Sequence, residues 1–314
     1  MTEIRIRFRH LQCFLTIAQL RSVVAAADTL AITQPALSKT LRELEDALGV
    51  KLFQRDKKGM LLTRFGEVFL QHAATSIASL RQGIDSIRLA GNTGGLAVAV
   101  GVMPNVVSGV MPHVVGLFKQ DASNTTVRIA TGSNAQLLDQ LRLGELDLVL
   151  GRLAQPEYMI GLSFEHLYVE ALVLSVRSGH PLTTASRFRL KSISDYPWIL
   201  PHLGTIIRME AERFLLSQGI AMSPDVVETT SNDFGRSYLL CGDAIWFTPL
   251  GTVAPGLKDG TIALLPLASG SMEGPVGITV RANTMQSSSA TLMIEAIRRT
   301  VMARQEAVRS PNPP

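Results

Sequence analysis

Long apolar runs are absent from this 314-residue sequence. The mean hydropathy is slightly positive, at +0.22. However, the stretch at residues 96–102 is typical in length of the longest hydrophobic stretches. These are far shorter than the roughly 18 residues that a membrane helix needs. Arg5, Arg7 and Arg9 lie near the start, but no apolar signal core follows them. We therefore expect no membrane span, no export and a cytoplasmic location.

Patterns of metal binding and catalysis are also missing. The two cysteines, Cys13 and Cys241, lie far apart in the chain and are expected to be buried core residues rather than a disulfide or metal pair. The six histidines show no ligand spacing, and there is neither a Walker loop nor a Gly-x-Ser-x-Gly motif. We expect no metal, no cofactor and no enzymatic activity.

Positive charge is concentrated in the first third of the chain. Residues 1–90 hold 13 Lys and Arg against 8 Asp and Glu, a net charge of +5. The remaining 224 residues hold 17 against 18, a net charge of −1, which together give the +4 of the whole chain. A basic excess confined to one segment is the electrostatic footprint expected of a nucleic-acid-binding domain.

One amphipathic helix dominates this basic segment. Leucines recur at helical spacing through residues 33–49, with Thr33 as a suitable N-cap and Gly49 as a suitable C-terminal stop. No acidic residue precedes Glu43, so the positive helix end is left free for a DNA phosphate. An ordinary solvated polar face explains the same pattern about equally well. The residues facing away from the leucines, with those at the tip, are Thr33, Gln34, Pro35, Ser38, Lys39 and Arg42.

The neighbouring segments favour DNA binding. Two short apolar helices precede this helix, the second capped by Ser22, which gives a helix-turn-helix arrangement. Two short strands, residues 50–55 and 60–63, flank a basic turn and predict a wing that lies along the phosphate backbone. The predicted DNA contacts added by these segments are Ser22, Arg55, Lys57 and Lys58.

A long helix is predicted from residue 65 to residue 88. Its apolar residues are spaced by three and four positions, a near-heptad seam that suits packing between two copies of the chain. The alternative is packing of this seam onto the chain's own winged helix. The seam consists of Phe69, Ala73, Ile77, Leu80, Ile84 and Ile87. The glycine-rich residues 91–95 then predict a hinge.

The remaining two thirds of the chain alternate strands and helices. Strands at residues 96–102, 126–130 and 147–150 are separated by helices at residues 103–120 and 133–143 and predict a parallel sheet. A second set begins with a strand at residues 171–176, and a final strand and helix, residues 276–281 and 288–303, are expected to return to the first lobe. This order predicts an α/β domain with ligands at the carboxyl ends of the strands.

Residues 1–67 resemble the LysR-type transcriptional regulators. The segments that carry the resemblance are residues 11–14, 22–27, 33–38, 41–45, 48–50, 52–55, and 62–63 with Gly66 and Glu67. Phe65 departs from the alanine that most members carry. The resemblance implies an N-terminal winged helix-turn-helix, a long linker helix and a two-lobed effector domain like a periplasmic binding protein.

The same resemblance implies double-stranded DNA and a small-molecule effector as partners. It also implies a homodimer that assembles as a dimer of dimers, and contact with RNA polymerase. We expect the following divisions: residues 1–64 as the DNA-binding domain, 65–90 as the linker, 91–95 as the hinge, 96–163 with 268–305 as lobe I, 164–267 as lobe II and 306–314 as a disordered tail.

The loops after the strands supply the candidate effector site. Ser133 opens a helix and suits a carboxylate, although a plain N-cap is at least as good an explanation. Arg152 follows a buried strand and suits an acid, with a structural salt bridge as the equal alternative. The full set of candidate effector contacts is Pro104, Asn105, Ser133, Asn134, Arg152, His202, Thr205, Asn232 and Thr248.

Within the family, two subgroups remain open. Residues 144–153, 164–168, 243–246 and 274–277 look like regulators of protocatechuate (β-ketoadipate pathway) genes. Regulators of galactose-binding-protein genes look similar, and the loop 202–205 departs from the protocatechuate type. A transport protein or an enzyme built on the α/β lobes is the competing class. It is disfavoured because a transport protein needs a signal peptide and an enzyme needs a catalytic constellation.

Overall fold

A computed structural model describes residues 5–56, 59–90, 96–107, 109–184, 188–267, 272–282 and 284–309. The helices are α1 (Phe8–Leu20), α2 (Val23–Thr29), α3 (Gln34–Leu48), α4 (Arg64–Ala90), α5 (Pro104–Val107), α6 (Met111–Asp121), α7 (Asn134–Arg142), α8 (Pro181–Thr184), α9 (Ile206–Ser217), α10 (Asn232–Cys241), α11 (Leu250–Lys258) and α12 (Ser288–Arg309). The strands are β1 (Phe53–Asp56), β2 (Gly59–Leu62), β3 (Ala97–Val102), β4 (Thr126–Thr131), β5 (Leu148–Arg152), β6 (Leu162–Arg177), β7 (Trp198–Leu200), β8 (Val226–Glu228), β9 (Ile245–Pro249), β10 (Ile262–Leu264) and β11 (Glu273–Arg281).

The first three helices and the β1–β2 hairpin form a winged helix, as the sequence predicted. Its core is built on Phe14, whose ring lies 5.3 Å from that of Phe53 in the wing and 5.0 Å from that of Phe69 in α4. In the leucine stripe of α3, Leu37, Leu41 and Leu44 are buried in this core, and Leu48 is half-buried against it. Burial of that stripe fixes which face of α3 remains available to a partner.

The linker helix α4 has two parts with different surroundings. Phe69, Ala73 and Ile77 pack into the core of the winged helix of the same chain. This corrects the assignment of Ala73 and Ile77 to a seam between two chains, because contacts within the chain bury both, while Phe69 is half-buried. Leu80 and Ile84 continue the stripe but are 50% and 42% exposed.

The effector domain holds one nine-stranded sheet that runs through two lobes. The strand order is β4-β3-β5-β11-β6-β9-β7-β8, with β10 also paired to β6. The pairs β3–β4, β3–β5, β7–β8 and β7–β9 are parallel, as the alternation of strands and helices predicted. Strands β6 and β11 run antiparallel to each other and connect the lobes.

Two parts of this domain differ from expectation. The strand expected at residues 171–176 is the second half of β6, which begins at Leu162, so the lobe boundary expected at residue 163 falls inside a strand. The single helix expected from residue 103 to residue 120 is two helices, α5 and α6. The helical conformation is interrupted beside Gly109. Pro112 lies in the first turn of α6, where its missing N–H is tolerated.

The C-terminal end of the chain and Cys241 also differ from expectation. Helix α12 continues to Arg309, so residues 306–309 are helical rather than part of a tail, and residues 310–314 lie outside the described residues. The hinge expected at residues 91–95 also lies outside them. Cys13 is buried as expected, whereas Cys241, at the end of α10, is exposed. Within the described part of the chain, no helix is both long and apolar enough to cross a membrane.

Candidate functional site

The N-terminal half of α3 presents a polar face to solvent. Thr33 caps the helix by accepting a hydrogen bond from the Ala36 N–H at 3.4 Å. Around the cap and along the helix, Gln34, Pro35, Lys39 and Arg42 are exposed and Ser38 is half-buried. The predicted contacts therefore lie on one accessible face beside the positive end of the helix dipole, an arrangement suited to a DNA groove and phosphates.

Contacts from α1 hold α3 in place. Glu43 is half-buried and accepts a hydrogen bond from Arg9 Nη2 at 3.0 Å, and its carboxylate lies 3.4 Å from His10 Nε2. The hydrogen bond with His10, followed by the interactions with Arg9, lowers the pKa of the Glu43 carboxyl. The first acid of α3 therefore joins α3 to α1.

A buried carboxylate ties the wing to the other end of α3. Glu45 is 6% exposed and accepts hydrogen bonds from the N–H groups of Leu52 at 2.9 Å and Phe53 at 3.4 Å. Lys51 Nζ lies 2.6 Å from the same carboxylate. Because these donors start the wing, Glu45 sets the position of the wing relative to α3.

The other side of the wing rests on the turn between α1 and α2. Arg21 occupies the left-handed region at φ 50°, and its carbonyl accepts a hydrogen bond from Met60 N–H at 2.9 Å. A Cβ at Gly59 would lie 2.5 Å from the same carbonyl, so only glycine fits there. Ser22 caps α2 through the Ala25 N–H at 3.3 Å.

Of the predicted wing contacts, Arg55 is exposed on β1. Lys57 and Lys58 lie outside the described residues.

A cleft of about 750 Å³ lies between the two lobes of the effector domain. Seven of the nine predicted effector residues line it: Pro104, Ser133, Asn134, His202, Thr205, Asn232 and Thr248. The side chain of Asn105 lies outside what the structure describes. Strand ends in both lobes thus bring the predicted residues together, as expected for a parallel sheet.

Among the helices that begin at the cleft, three are capped by a hydroxyl side chain. Ser133 caps α7 by accepting from Gln136 N–H at 3.4 Å, Thr205 caps α9 through Arg208 N–H at 3.3 Å, and Ser231 caps α10 through Phe234 N–H at 3.3 Å. The N-cap alternative for Ser133 therefore holds in this structure. Helix starts carry partial positive charge and free N–H groups, so their convergence favours a negatively charged ligand.

The rest of the cleft surface is neutral. None of the described residues that line it is Arg, Lys, Asp or Glu. Apolar side chains such as Leu203, Ile207 and Phe247 form part of the wall, and hydroxyl groups such as that of Thr230 form another part. This lining suits a small molecule with one anionic end and an apolar or hydroxylated body.

Arg152 is not part of this lining, which corrects its assignment as an effector contact. Its side chain is 1% exposed, and its Nη2 lies 3.1 Å from Glu210 Oε2 and 3.1 Å from the Glu170 carbonyl. Gly274 makes this possible, because a Cβ there would lie 2.4 Å from Arg152 Nε. The structural salt bridge was the right alternative for Arg152, and it joins β5 of lobe I to α9 of lobe II.

Some residues that line the cleft were not predicted from the sequence. Gln155 and Tyr158 enter from the loop after β5, and Thr252 enters from the first turn of α11. The sequence of α11 contains Pro255 inside the helix, which hides its helical pattern. The described residues include no group of three or more side chains arranged to hold a metal ion.

Comparison with known proteins identifies both domains. Residues 8–67 match the bacterial regulatory helix-turn-helix protein, LysR family, and residues 94–302 match the LysR substrate binding domain. The chain is 44% identical over 298 residues to the HTH-type transcriptional regulator PcaQ of Agrobacterium fabrum, covering 95% of this chain and 96% of that protein. It is 37% identical over 297 residues to the uncharacterized HTH-type transcriptional regulator YdcI of Escherichia coli, with coverage of 95% and 96%.

A solved structure shares the fold. The structure of full-length LysG from Corynebacterium glutamicum with bound effector Arg superposes with a TM-score of 0.61 at 19% identity, covering 95% of this chain and 99% of that one. At that identity the likeness shows the fold alone. The two family matches together span most of the chain and coincide with the winged helix and the two-lobed domain. The chain therefore belongs to the LysR family and is a LysR-type transcriptional regulator.

Proposed function

We propose that this regulator responds to a small anionic metabolite of an aromatic catabolic pathway, bound in the cleft between the lobes. The observation that carries the proposal is the convergence of the capped starts of α7, α9 and α10 on one cavity without acidic residues. These helix ends supply N–H donors for a carboxylate, and Ile207 and Phe247 supply an apolar wall for a ring.

The similarity to PcaQ supports the aromatic class. Residues 144–153 and 243–246 resemble regulators of protocatechuate genes, and 44% identity to PcaQ extends over nearly the whole chain. A carboxylate on a hydroxylated ring would use the helix ends at one side and the hydroxyl groups of the cleft at the other.

A sugar is the second candidate effector. The cleft carries neutral hydrogen-bonding side chains, among them Thr131, Gln136 and Thr229, and no charged residue among those described. Neutral hydroxyl and amide groups are well suited to sugar hydroxyls. The resemblance to regulators of galactose-binding-protein genes points in the same direction.

For the DNA, we propose that α3 enters the major groove and the wing follows the backbone. Gln34 suits adenine and Arg42 suits guanine, and both side chains are exposed on the same face. Leu80, Ile84 and Ile87 are exposed apolar residues of α4 and would pair with a second copy, so that two winged helices meet two half-sites. Two dimers would associate into a tetramer. This tetramer would act in the cytoplasm, where it would contact DNA and RNA polymerase.

Ligand binding to the purified chain tests the effector class. Protocatechuate and galactose are added separately, and the melting temperature is followed, because a ligand that binds only the folded state raises it. We expect protocatechuate to raise the melting temperature and Ser133→Ala to weaken its binding about tenfold by removing the cap hydroxyl at the cleft. Ser22→Ala is the matched control, since it removes an equivalent N-cap outside the cleft. A shift with galactose alone would establish the sugar class instead.

A further inference from the structure

Helix α7 faces two cavities at its opposite ends. Ser133 and Asn134 at its start line the effector cleft. Asp139 and Arg142 in its last turns line a second cavity of about 410 Å³, whose opposite wall belongs to the winged helix and includes Met60 of the wing. One short helix thus reaches from the effector site to the DNA-binding domain.

The end of α7 sits tightly on the DNA-binding domain. Leu143, the residue after the helix, packs against the buried core of the winged helix. Gly144 follows in the left-handed region at φ 69°, and a Cβ there would lie 2.9 Å from the Cα of Ala78 in α4. With so little space, a shift of α7 along its axis has to move the neighbouring helix or break the contact.

Arg142 adds a second connection between the two cavities. Its guanidinium donates to Asp139 Oδ1 at 2.8 Å, to the Ile160 carbonyl at 3.3 Å and to the Tyr158 carbonyl. Tyr158 belongs to a short 3-10 helix and lines both the effector cleft and the second cavity. Burial raises the pKa of the Asp139 carboxyl and lowers that of Arg142, as expected for a pair held away from solvent.

The opposite wall of the second cavity carries the turn that supports the wing. Arg21 lines this cavity, and its carbonyl holds the Met60 N–H at the start of the second wing strand. Its positive charge acts on Asp139, where it opposes the effect of burial on the pKa. Arg21, which holds the second wing strand in position, therefore lies at the same cavity as the end of α7.

We propose that α7, together with the 3-10 helix that ends at Tyr158, transmits the state of the effector cleft directly to the wing of the same chain. In this arrangement a ligand that alters the start of α7 changes the contact of Asp139, Arg142 and Leu143 with the winged helix. The local stability of the wing then changes, although the ligand does not contact the DNA-binding domain. The proposal does not depend on which effector the cleft binds.

Hydrogen exchange of the full chain, without DNA or effector, tests the proposal. Ser133→Ala loosens α7 at the cleft end, and Arg142→Met removes the connection at the other end. We expect each change alone to raise the exchange rate of the Met60 amide about threefold or more, because local opening becomes easier. The double variant is expected to exchange no faster than Arg142→Met. Arg128→Met is the matched control, since Arg128 is exposed on β4 of the same lobe.

Two outcomes would overturn the proposal. In the first, Ser133→Ala raises exchange within α7 but leaves the Met60 amide as in the wild type. In the second, the effects of the two substitutions multiply in the double variant, which means that they act separately. If Arg142→Met fails to fold, Arg142→Lys serves the same purpose, because it keeps the charge but cannot reach Asp139, Tyr158 and Ile160 together.

Discussion

Replacing Glu210 with glutamine should destabilise lobe II by about 3 kcal/mol. Arg152 is 1% exposed at its side chain, and its Nη2 forms a salt bridge with Glu210 Oε2 at 3.1 Å. Two of the guanidinium nitrogens, Nε and Nη1, already lack hydrogen-bond partners. The substitution would therefore break a buried salt bridge by removing one partner, which typically costs about 3–5 kcal/mol. We take the lower end because Glu210 itself is 21% exposed.

Tryptophan fluorescence during urea unfolding measures this cost in the right part of the molecule. Both tryptophans of the chain, Trp198 and Trp246, lie in lobe II and are buried. For slopes of about 1–3 kcal/mol per molar urea, a loss of 3 kcal/mol lowers the midpoint by about 1–3 M. Arg152→Met in the Glu210→Gln background should recover most of the loss, because the buried guanidinium that lost Glu210 is then gone.

Glu212→Gln is the matched control on the same helix. Glu212 is 41% exposed, and its partner Arg208 keeps a second carboxylate, Glu228, at 2.8 Å. Its loss should cost less than about 1 kcal/mol. The reasoning fails if the Glu210 and Glu212 variants unfold at the same urea concentration, or if Arg152→Met adds further destabilisation to Glu210→Gln.

Three further predictions concern the linker, the wing and lobe II. Leu80→Lys should convert dimers to monomers in sedimentation velocity, whereas Ser79→Lys should leave the dimer intact; unchanged dimers in both would place the interface elsewhere. Glu45→Gln should cost the winged helix about 1.5–3 kcal/mol in thermal unfolding, because it weakens buried charge-assisted bonds to the wing, while exposed Asp46→Asn should cost almost nothing. His180 is buried, with Nδ1 accepting from Leu182 N–H and Nε2 donating to the Asp243 carbonyl, and burial lowers its pKa. Lobe II should therefore lose stability as the pH falls below about 6.5, by up to about 1.4 kcal/mol per pH unit, and His180→Gln should flatten that slope; equal slopes would refute a neutral buried histidine.

The DNA-binding domain was the part most readily predicted from sequence. In α3, the leucine spacing, the cap at Thr33 and the stop at Gly49 all indicate the same helix, and the structure places each of them as expected. The first half of β6 could not be predicted in the same way, because its exposed and half-buried residues follow no regular alternation. Helix α11 was missed because Pro255 and two glycines resemble a loop.

The position of the effector cleft could be predicted from the sequence, but whether Arg152 lines it could not. Strand ends in a parallel sheet lie at one edge, which brings Ser133 and Thr248 to the same cavity. The fate of Arg152 could not be read from the sequence, because its partner Glu210 lies on a helix of the other lobe. Likewise, the apolar stripe of α4 did not reveal that Ala73 and Ile77 would be covered by the winged helix. Such pairings depend on tertiary contacts between distant parts of the chain.

Selection of duplex DNA from a random library tests the regulatory assignment most directly. Full-length wild-type protein and Arg42→Ala are compared at the same salt concentration, with Arg128→Ala as a control on lobe I. We predict that the wild type and the control enrich the same two-fold symmetric sequence. Arg42→Ala should bind that sequence about 5 to 150 times more weakly, as expected for the loss of about 1–3 kcal/mol from a specific base contact. Failure of the wild type to enrich any sequence, or equal affinity of Arg42→Ala for the selected site, would contradict the assignment of α3 as the helix that reads DNA.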